Sequence, residues 1–531
     1  MTFVSFAFVV FVAVTAVVYF LVPAKYQWCV LLAASYLFFW FNSGWLLLFL
    51  FVATAVAYVT ARAVYAVSAN GRAYLKEHGQ ELPKQQRKDY KEKNRKKARR
   101  VLMAGIAADL GILLVLKYSG FFVSNANLML RYAGIQIPGM TFWLPLGISF
   151  YTLQAIAYMV DVYRGKYEPD KSFGRFMLFM SFFPQLVQGP IARHDRLAHQ
   201  LYAAHRFDYR RLTFGVQLVV WGWMKKLILA DRVAVAVNQI FDNYSKYTGM
   251  ILFLGAALYG LQVYADFSGG MDMARGVAWI FGIELELNFV QPYFSKSIEE
   301  FWRRWHVTLG GWMRDYVFYP LSLSKAFAAV GRKSRRFLGS FVGKRLPSFL
   351  AMFLVYFLVG FWHGAEWKYI AYGVWNGVFI TSGILLTEFY DKARQKCGIR
   401  SGSVCWRAFQ ILRTFCLVSL GRIFSRANGL MAALHMFGRM RYRWYDPTFL
   451  VDGSLEALGL DHYHWLLVLL FIGILLFADY LHEKGVNIRE GIARQHIVFR
   501  WLLFYGAVIS LLVFGMYGPV YDSVSFIYEK F

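Results

Sequence analysis

The amino-acid sequence predicts an all-α polytopic membrane protein, and three observations carry that expectation. Hydrophobic residues make up 58% of the chain and charged residues only 17%, whereas soluble domains run at about 45–50% apolar and about 25% charged. The apolar residues fall in blocks suited to a bilayer core, which a helix of about 20 residues crosses. The cations gather in short polar stretches between the blocks, as they do in cytoplasmic loops.

The first block, residues 1–22, has no basic leader and is too long for a typical signal core, so it reads as a retained first span. Residues 28–67 are too many for one helix, and Asn42-Ser43-Gly44 offers a break, giving two spans. The most polar stretch follows at about 68–100, dense in lysine and arginine from Lys84 onward, and is expected as a solvated cytoplasmic loop. Three spans before it put the N-terminus outside. Further apolar blocks lie at about 101–117, 142–161, 172–190, 212–234, 250–282, 348–363, 366–388, 406–424, 463–480 and 499–519. Pro145, Pro184 and Pro190 interrupt their blocks, so some are expected to re-enter or lie at the interface. A second basic loop, without an acid, is expected at 320–347. With no internal repeat and no low-complexity linker, residues 1–531 read as one membrane-embedded domain.

The net charge of +27 would suggest nucleic acid on a soluble protein. Here the loops account for it, and neither zinc-finger spacing nor an RNA-binding signature is present. No nucleic-acid partner is expected; membrane lipid headgroups are the expected neighbours of the basic stretches. Cys29, Cys397, Cys405 and Cys416 have neither metal-site spacing nor the pattern of a disulfide framework.

Ionisable residues inside apolar blocks are costly and are functional candidates by default. Three clusters qualify. The first holds Asp266 and Asp272 beside Gly269-Gly270, which would break the helix or permit close packing. Its acids either line an acceptor path or hold helices together through Arg or Trp partners. The second runs Phe301-Trp302-Arg303-Arg304-Trp305-His306 and on to Trp312, Arg314 and Asp315. Read as one helix, it puts Trp302, His306 and Met313 on one face, and its arginines suit a membrane interface. The third is Trp362-His363-Gly364-Ala365. If its span begins after Pro347, His363 lies about 24 Å along it, and Gly364 would end the helix. Histidine is the side chain best poised for proton transfer near neutral pH, although a lone apolar-flanked histidine is more often a satisfied core residue.

A serine-hydrolase elbow, a P-loop and a dinucleotide fingerprint are all missing. So is a His followed five positions later by Asp. The run Asp461-His462-Tyr463-His464 lacks a third ligand, so no metal site is expected.

These clusters, in this order, resemble the membrane-bound O-acyltransferase family, and within it the membrane subunits of bacterial alginate O-acetyltransferases. The teichoic-acid D-alanyl transfer proteins are a related branch. The matching segments are Leu144-Pro-Leu-Gly-Ile-Ser-Phe-Tyr151 with Asp161-Val-Tyr-Arg-Gly165, Ser181-Phe-Phe-Pro-Gln185 with Gln188-Gly-Pro190, Tyr264 to Asp272, Pro292-Tyr293 with Phe301 to His306, Trp312 to Pro320, and Trp362 to Ala365. Phe424-Ser-Arg-Ala427 is similar to a later Phe-Arg-Ala element with one residue inserted. The resemblance covers about 140–430, with extra C-terminal spans at about 460–520.

The resemblance implies a ring of about 11–13 transmembrane helices, with re-entrant or interfacial helices, around a thin centre with a funnel on each side. It implies His363 as catalytic residue and His306 as the second family histidine. Asp266, Asp272, Trp302, Arg304, Trp305, Arg314, Asp315, Trp362 and Gln188 would support the site or line the substrate path. It implies no tightly bound cofactor, a cytoplasmic acyl thioester donor (acetyl-CoA) and an extracellular SGNH-type partner. The acceptor would be an exported polysaccharide, and the location the bacterial inner membrane. One alternative is D-alanyl transfer to teichoic acid from a D-alanyl carrier protein. Another is a non-catalytic glycan transporter or scaffold.

Overall fold

The computed structural model describes residues 1–139, 142–443, 448–517 and 526. Among them the regular structure is helical, apart from one isolated antiparallel bridge between Phe289 and Trp305. Eight described helices are long and apolar enough to cross a membrane, or nine if the bent pair Trp367–Gly383 and Thr387–Lys396 forms one span. The chain is a multi-pass membrane protein. That count takes Ala24–Glu77 as one stretch of 54 residues. A turn at Gly44, whose φ is +52°, divides it into Gln27–Ser43 and Leu47–Glu77 where the sequence break was expected. Blocks read from composition as further spans form shorter helices, among them Phe6–Leu21, Ile148–Tyr163 and Phe173–Ser181.

Two basic stretches expected as loops are helical instead. Leu47–Glu77 and Lys84–Leu113 carry helix through most of 68–100 and leave a short connection between them. Lysine, arginine, glutamate and glutamine are good helix formers, and a Glu92–Lys96 pair at 2.8 Å adds local support. Likewise Lys325–His363 is helical through the second basic stretch, capped by Ser324 and broken only at Gly339, whose φ is +77°. Pro347 lies inside this helix, so the apolar span starts at Gly339 rather than after the proline.

The chain forms two compact units. One comprises residues 1–216 with 274–286, and the other 217–273 with 287–531. In the first, Leu47–Glu77 and Lys84–Leu113 pack side by side and both lie on Ile148–Tyr163. Gly105 permits the approach: a Cβ there would sit 2.3 Å from Thr60 Oγ1. A cluster of Phe8, Phe11, Phe38 and Phe183 fills the contact between Phe6–Leu21 and Gln27–Ser43, with ring centroids 5.3–6.5 Å apart. Such offset and edge-on pairs add to simple burial.

In the second unit, Lys325–His363 packs along Trp367–Leu385, which packs in turn on Val404–Arg426. The Gly249–Ile280 helix runs unbroken through Gly269-Gly270. Gly269 serves close packing: a Cβ there would come within 2.9 Å of Gly222 O. Asp461 caps His462–Glu483, accepting from His464 N at 2.8 Å. All four cysteines are free thiols.

Candidate active site around two histidines

His363 closes its helix and stands at the tip of a helical hairpin. Glycines bring the two arms together. A Cβ on Gly360 would lie 2.4 Å from Tyr369 O and 2.8 Å from Gly373 Cα, and one on Gly373 would lie 2.5 Å from Tyr356 O. Gly360-x-x-x-Gly364 and Gly373-x-x-x-Gly377 thus form the small-residue spacing that lets helix backbones touch in a membrane. Gly364 does end the helix, but its φ of −176° is ordinary extended backbone. Glycine is required there for space, because a Cβ would fall 2.2 Å from the Tyr369 ring.

His306 sits in a connection between two short helices, Ile298–Arg304 and Val307–Met313. The single helix expected from Phe301 to Asp315 is therefore broken. The segment 288–290 captures the backbone: Val290 N donates to Arg304 O at 2.9 Å and Val307 N to Asn288 O at 3.0 Å. His306 adopts a left-handed φ of +49° and is buried.

Asn288 fixes the ring. Its Oδ1 accepts from Thr308 N at 3.0 Å and Thr308 Oγ1 at 2.9 Å, and His306 Nδ1 lies 3.2 Å away. The Thr308 amide can only donate, so the atom it meets is the oxygen. His306 Nδ1 therefore carries the proton toward Asn288, and Nε2 holds the lone pair. Burial, with His363 nearby adding to it, holds His306 well below the usual histidine range.

The Trp362 indole meets both imidazoles, with centroids 6.0 Å from His306 and 5.0 Å from His363. Phe267 closes on His306 edge-on at 5.0 Å, and Tyr372 on His363 at 5.8 Å. Trp302 is tied beneath: its Nε1 donates to Asn376 Oδ1 at 3.0 Å, and Asn376 Nδ2 donates to Tyr372 O at 2.9 Å. Trp305 stacks on Phe301 at 5.4 Å and takes the Arg422 guanidinium 4.3 Å from its ring. Arg422 itself is buried and donates to Gly260 O at 2.8 Å and Tyr293 Oη at 2.5 Å.

The acids flagged from sequence pair with lysines. Lys226 bridges Asp266 at 2.7 Å and Asp231 at 2.9 Å, and Lys225 meets Asp272 at 2.5 Å and Ser268 at 3.1 Å. Helix-joining partners were expected to be Arg or Trp; they are lysines on the π-helical turn Met224–Ala230. Arg304 makes a fork to Glu483 at 2.6 and 3.1 Å and reaches Glu300 at 2.7 Å, which fastens Ile298–Arg304 to His462–Glu483. Arg314 is exposed and pairs with its neighbour Asp315 at 3.1 Å. Gln188 belongs to the first unit, where its buried side-chain amide makes no hydrogen bond among the described residues.

Sequence reasoning missed Asn288, Tyr372, Asn376, Arg422, Lys225 and Lys226. The three cations had a signal, since each stands within an apolar block. Asn288 had none, because its role depends on the fold of the connection it anchors.

The sequence profile of the membrane-bound O-acyltransferase family matches residues 169–412. The probable alginate O-acetylase AlgI of Pseudomonas aeruginosa is 32% identical over 425 residues, covering 80% of this chain and 71% of that protein. The chain belongs to the membrane-bound O-acyltransferase family. It is an O-acyltransferase, and both histidines lie within the matched segment. Two other relatives are named for different activities. The peptidoglycan O-acetyltransferase of Helicobacter pylori is 30% identical, over 64% of each chain. The teichoic acid D-alanyltransferase of Bacillus subtilis is 30% identical over 47% of this chain and 60% of its own. The alignments thus span between 60% and 71% of these O-acyltransferase relatives.

Proposed function

We propose that this membrane-bound O-acyltransferase takes an acetyl group from acetyl-CoA at the cytoplasmic face and passes it across the bilayer for O-acetylation of an exported cell-surface polysaccharide. The observation that carries the reading is the pair of buried histidines gathered on Trp362. A thioester is already activated, so the demanding step is presenting a deprotonated hydroxyl in the right geometry. His363 acts as general base, taking the acceptor hydroxyl proton as the oxygen attacks the thioester carbonyl. The carbon–sulfur bond breaks, an ester forms, and the thiolate leaves with the proton returned to it. Such help contributes about 10²–10⁴-fold. His306, with Nδ1 committed to Asn288, directs its Nε2 lone pair toward the reacting groups and orients the acceptor hydroxyl.

Trp302, Trp305 and Trp362 hold this arrangement in place, and the basic helical ends draw the anionic donor to the cytoplasmic side. An extracellular SGNH-type partner carries the acyl group on to the glycan, the N-terminus lies outside, and the membrane is the bacterial inner membrane. Acetyl is favoured over D-alanyl because the alignments to O-acetylating relatives cover more of this chain. Surface glycans from cells with and without this chain test the reading. Ester-linked acetate should disappear with it; loss of ester-linked D-alanine alone would replace the acetyl reading with the D-alanyl one.

A further inference from the structure

A cleft of about 610 Å³ lies in the first unit between the helices Leu47–Glu77 and Lys84–Leu113, with Tyr163 at one side. Its lining follows one stripe on each helix. On the first helix it steps from Ser68 through Gly71 and Arg72 to Leu75; on the second it runs from Lys91 to Met103 at i, i+3 and i+4 intervals. Both helices therefore turn a single face inward.

The lining is graded. Arg72, Lys91, Arg95 and Arg99 supply four cations, and no acid lines the cleft among the described residues. Two acids interact near these cations from outside it: Glu92 is within electrostatic reach of Arg95, and Glu168 is bound to Tyr65, whose ring lies 5.8 Å from Arg72. Toward the apolar part of the second helix the lining changes to Ala98, Leu102 and Met103.

The floor depends on a glycine. A Cβ on Gly71 would fall 1.9 Å from the Asn94 amide, which is itself held by a 3.1 Å hydrogen bond from its Nδ2 to Val67 O. Gly71 and Asn94 thus fix the approach of the two helices at the base of the cleft.

Cations at one end and apolar side chains at the other, where a span leaves the bilayer, match a phosphodiester head continuous with acyl chains. We propose that this cleft is a discrete site for one anionic phospholipid. Its phosphate sits among Arg72, Lys91, Arg95 and Arg99, and its glycerol and upper acyl chains lie along Leu102 and Met103. The proposal does not depend on the acyl-transfer reading.

The test uses the purified full chain in a zwitterionic detergent, with native mass spectrometry counting bound lipid. Phosphatidylglycerol, phosphatidylethanolamine, coenzyme A and inorganic phosphate are titrated separately and in competition. R95Q/R99Q removes two cleft charges, and K93Q/K97Q removes two from other faces of the same helix. One phosphatidylglycerol should bind per wild-type chain, with affinity at least tenfold weaker in R95Q/R99Q and within twofold of wild type in K93Q/K97Q. Equal loss in both variants would reduce the effect to diffuse charge and overturn the site. Equal binding of phosphatidylethanolamine would overturn it too. Displacement of the lipid by coenzyme A or inorganic phosphate would reassign the cleft to a soluble phosphate. The competition arms use wild-type protein, so they decide the question even if a variant fails to fold.

Discussion

His306 Nδ1 lies 3.2 Å from Asn288 Oδ1, and that contact decides which imidazole nitrogen carries the proton. The same oxygen takes two hydrogen bonds from Thr308, so one amide sets the backbone after His306 and the tautomer of its ring together. Second partners of this kind commonly govern what a functional histidine can do.

Asn288→Ala removes an acceptor that takes two hydrogen bonds from Thr308 in a buried site, and losing such buried bonds costs about 1–3 kcal/mol. The ring also loses its reference, and misplacement on the scale of 1 Å is worth about 10²-fold in rate. Transfer of radiolabelled acetyl by the purified variant should fall by about that factor, with a drop in thermal midpoint. A variant with full rate would separate Asn288 from the function of His306.

Burial holds the His306 pKa below its unfolded value, so the folded protein keeps the ring neutral where the unfolded chain begins to take up a proton. The stability this withholds is lost as pH falls through the unfolded value of about 6.5. His306→Asn deletes the titration, and asparagine tolerates the left-handed φ. Between about pH 7.5 and 5.5 the wild type should lose more thermal stability than the variant. Equal losses would place the pH sensitivity elsewhere.

Lys226 sits between Asp231 and Asp266, and the Lys226 and Asp266 side chains are each only 2% exposed. Removing the cation takes the ammonium away from two buried acids, and breaking a buried pair costs about 3–5 kcal/mol. Lys226→Met should therefore lower the thermal midpoint in detergent markedly. Lys225→Met should lower it less, because Asp272 is 16% exposed. The reverse order would contradict this account of the network.

Gly360 and Gly373 let the arms of the His363 hairpin touch. Gly373→Leu wedges them apart and should displace His363, so activity falls together with the protection of the hairpin amides in hydrogen exchange. Retained protection with lost activity would argue for a direct role of residue 373 in substrate contact.

The membrane class was legible from composition and block length, because a bilayer imposes both. The site was only partly legible. His363 and His306 stood out through motif order, yet the break at His306 did not, since apolar spacing cannot report a backbone captured by residues 288–290. The basic helices were misread as loops because charge was taken as loop character, although lysine and arginine propagate helix well outside the membrane. Asp266 and Asp272 were visible as costly acids, while Lys225 and Lys226 in the preceding helical stretch were not weighed as their partners.

The central claim is that His363 is the general base of acetyl transfer. The most direct measurement compares wild type and His363→Ala in proteoliposomes supplied with radiolabelled acetyl-CoA, the purified partner and a surface glycan, reading ester-linked label on the glycan. The account predicts a fall of about 10²–10⁴-fold with an unchanged thermal midpoint. Ester formation by His363→Ala at the wild-type rate would contradict it.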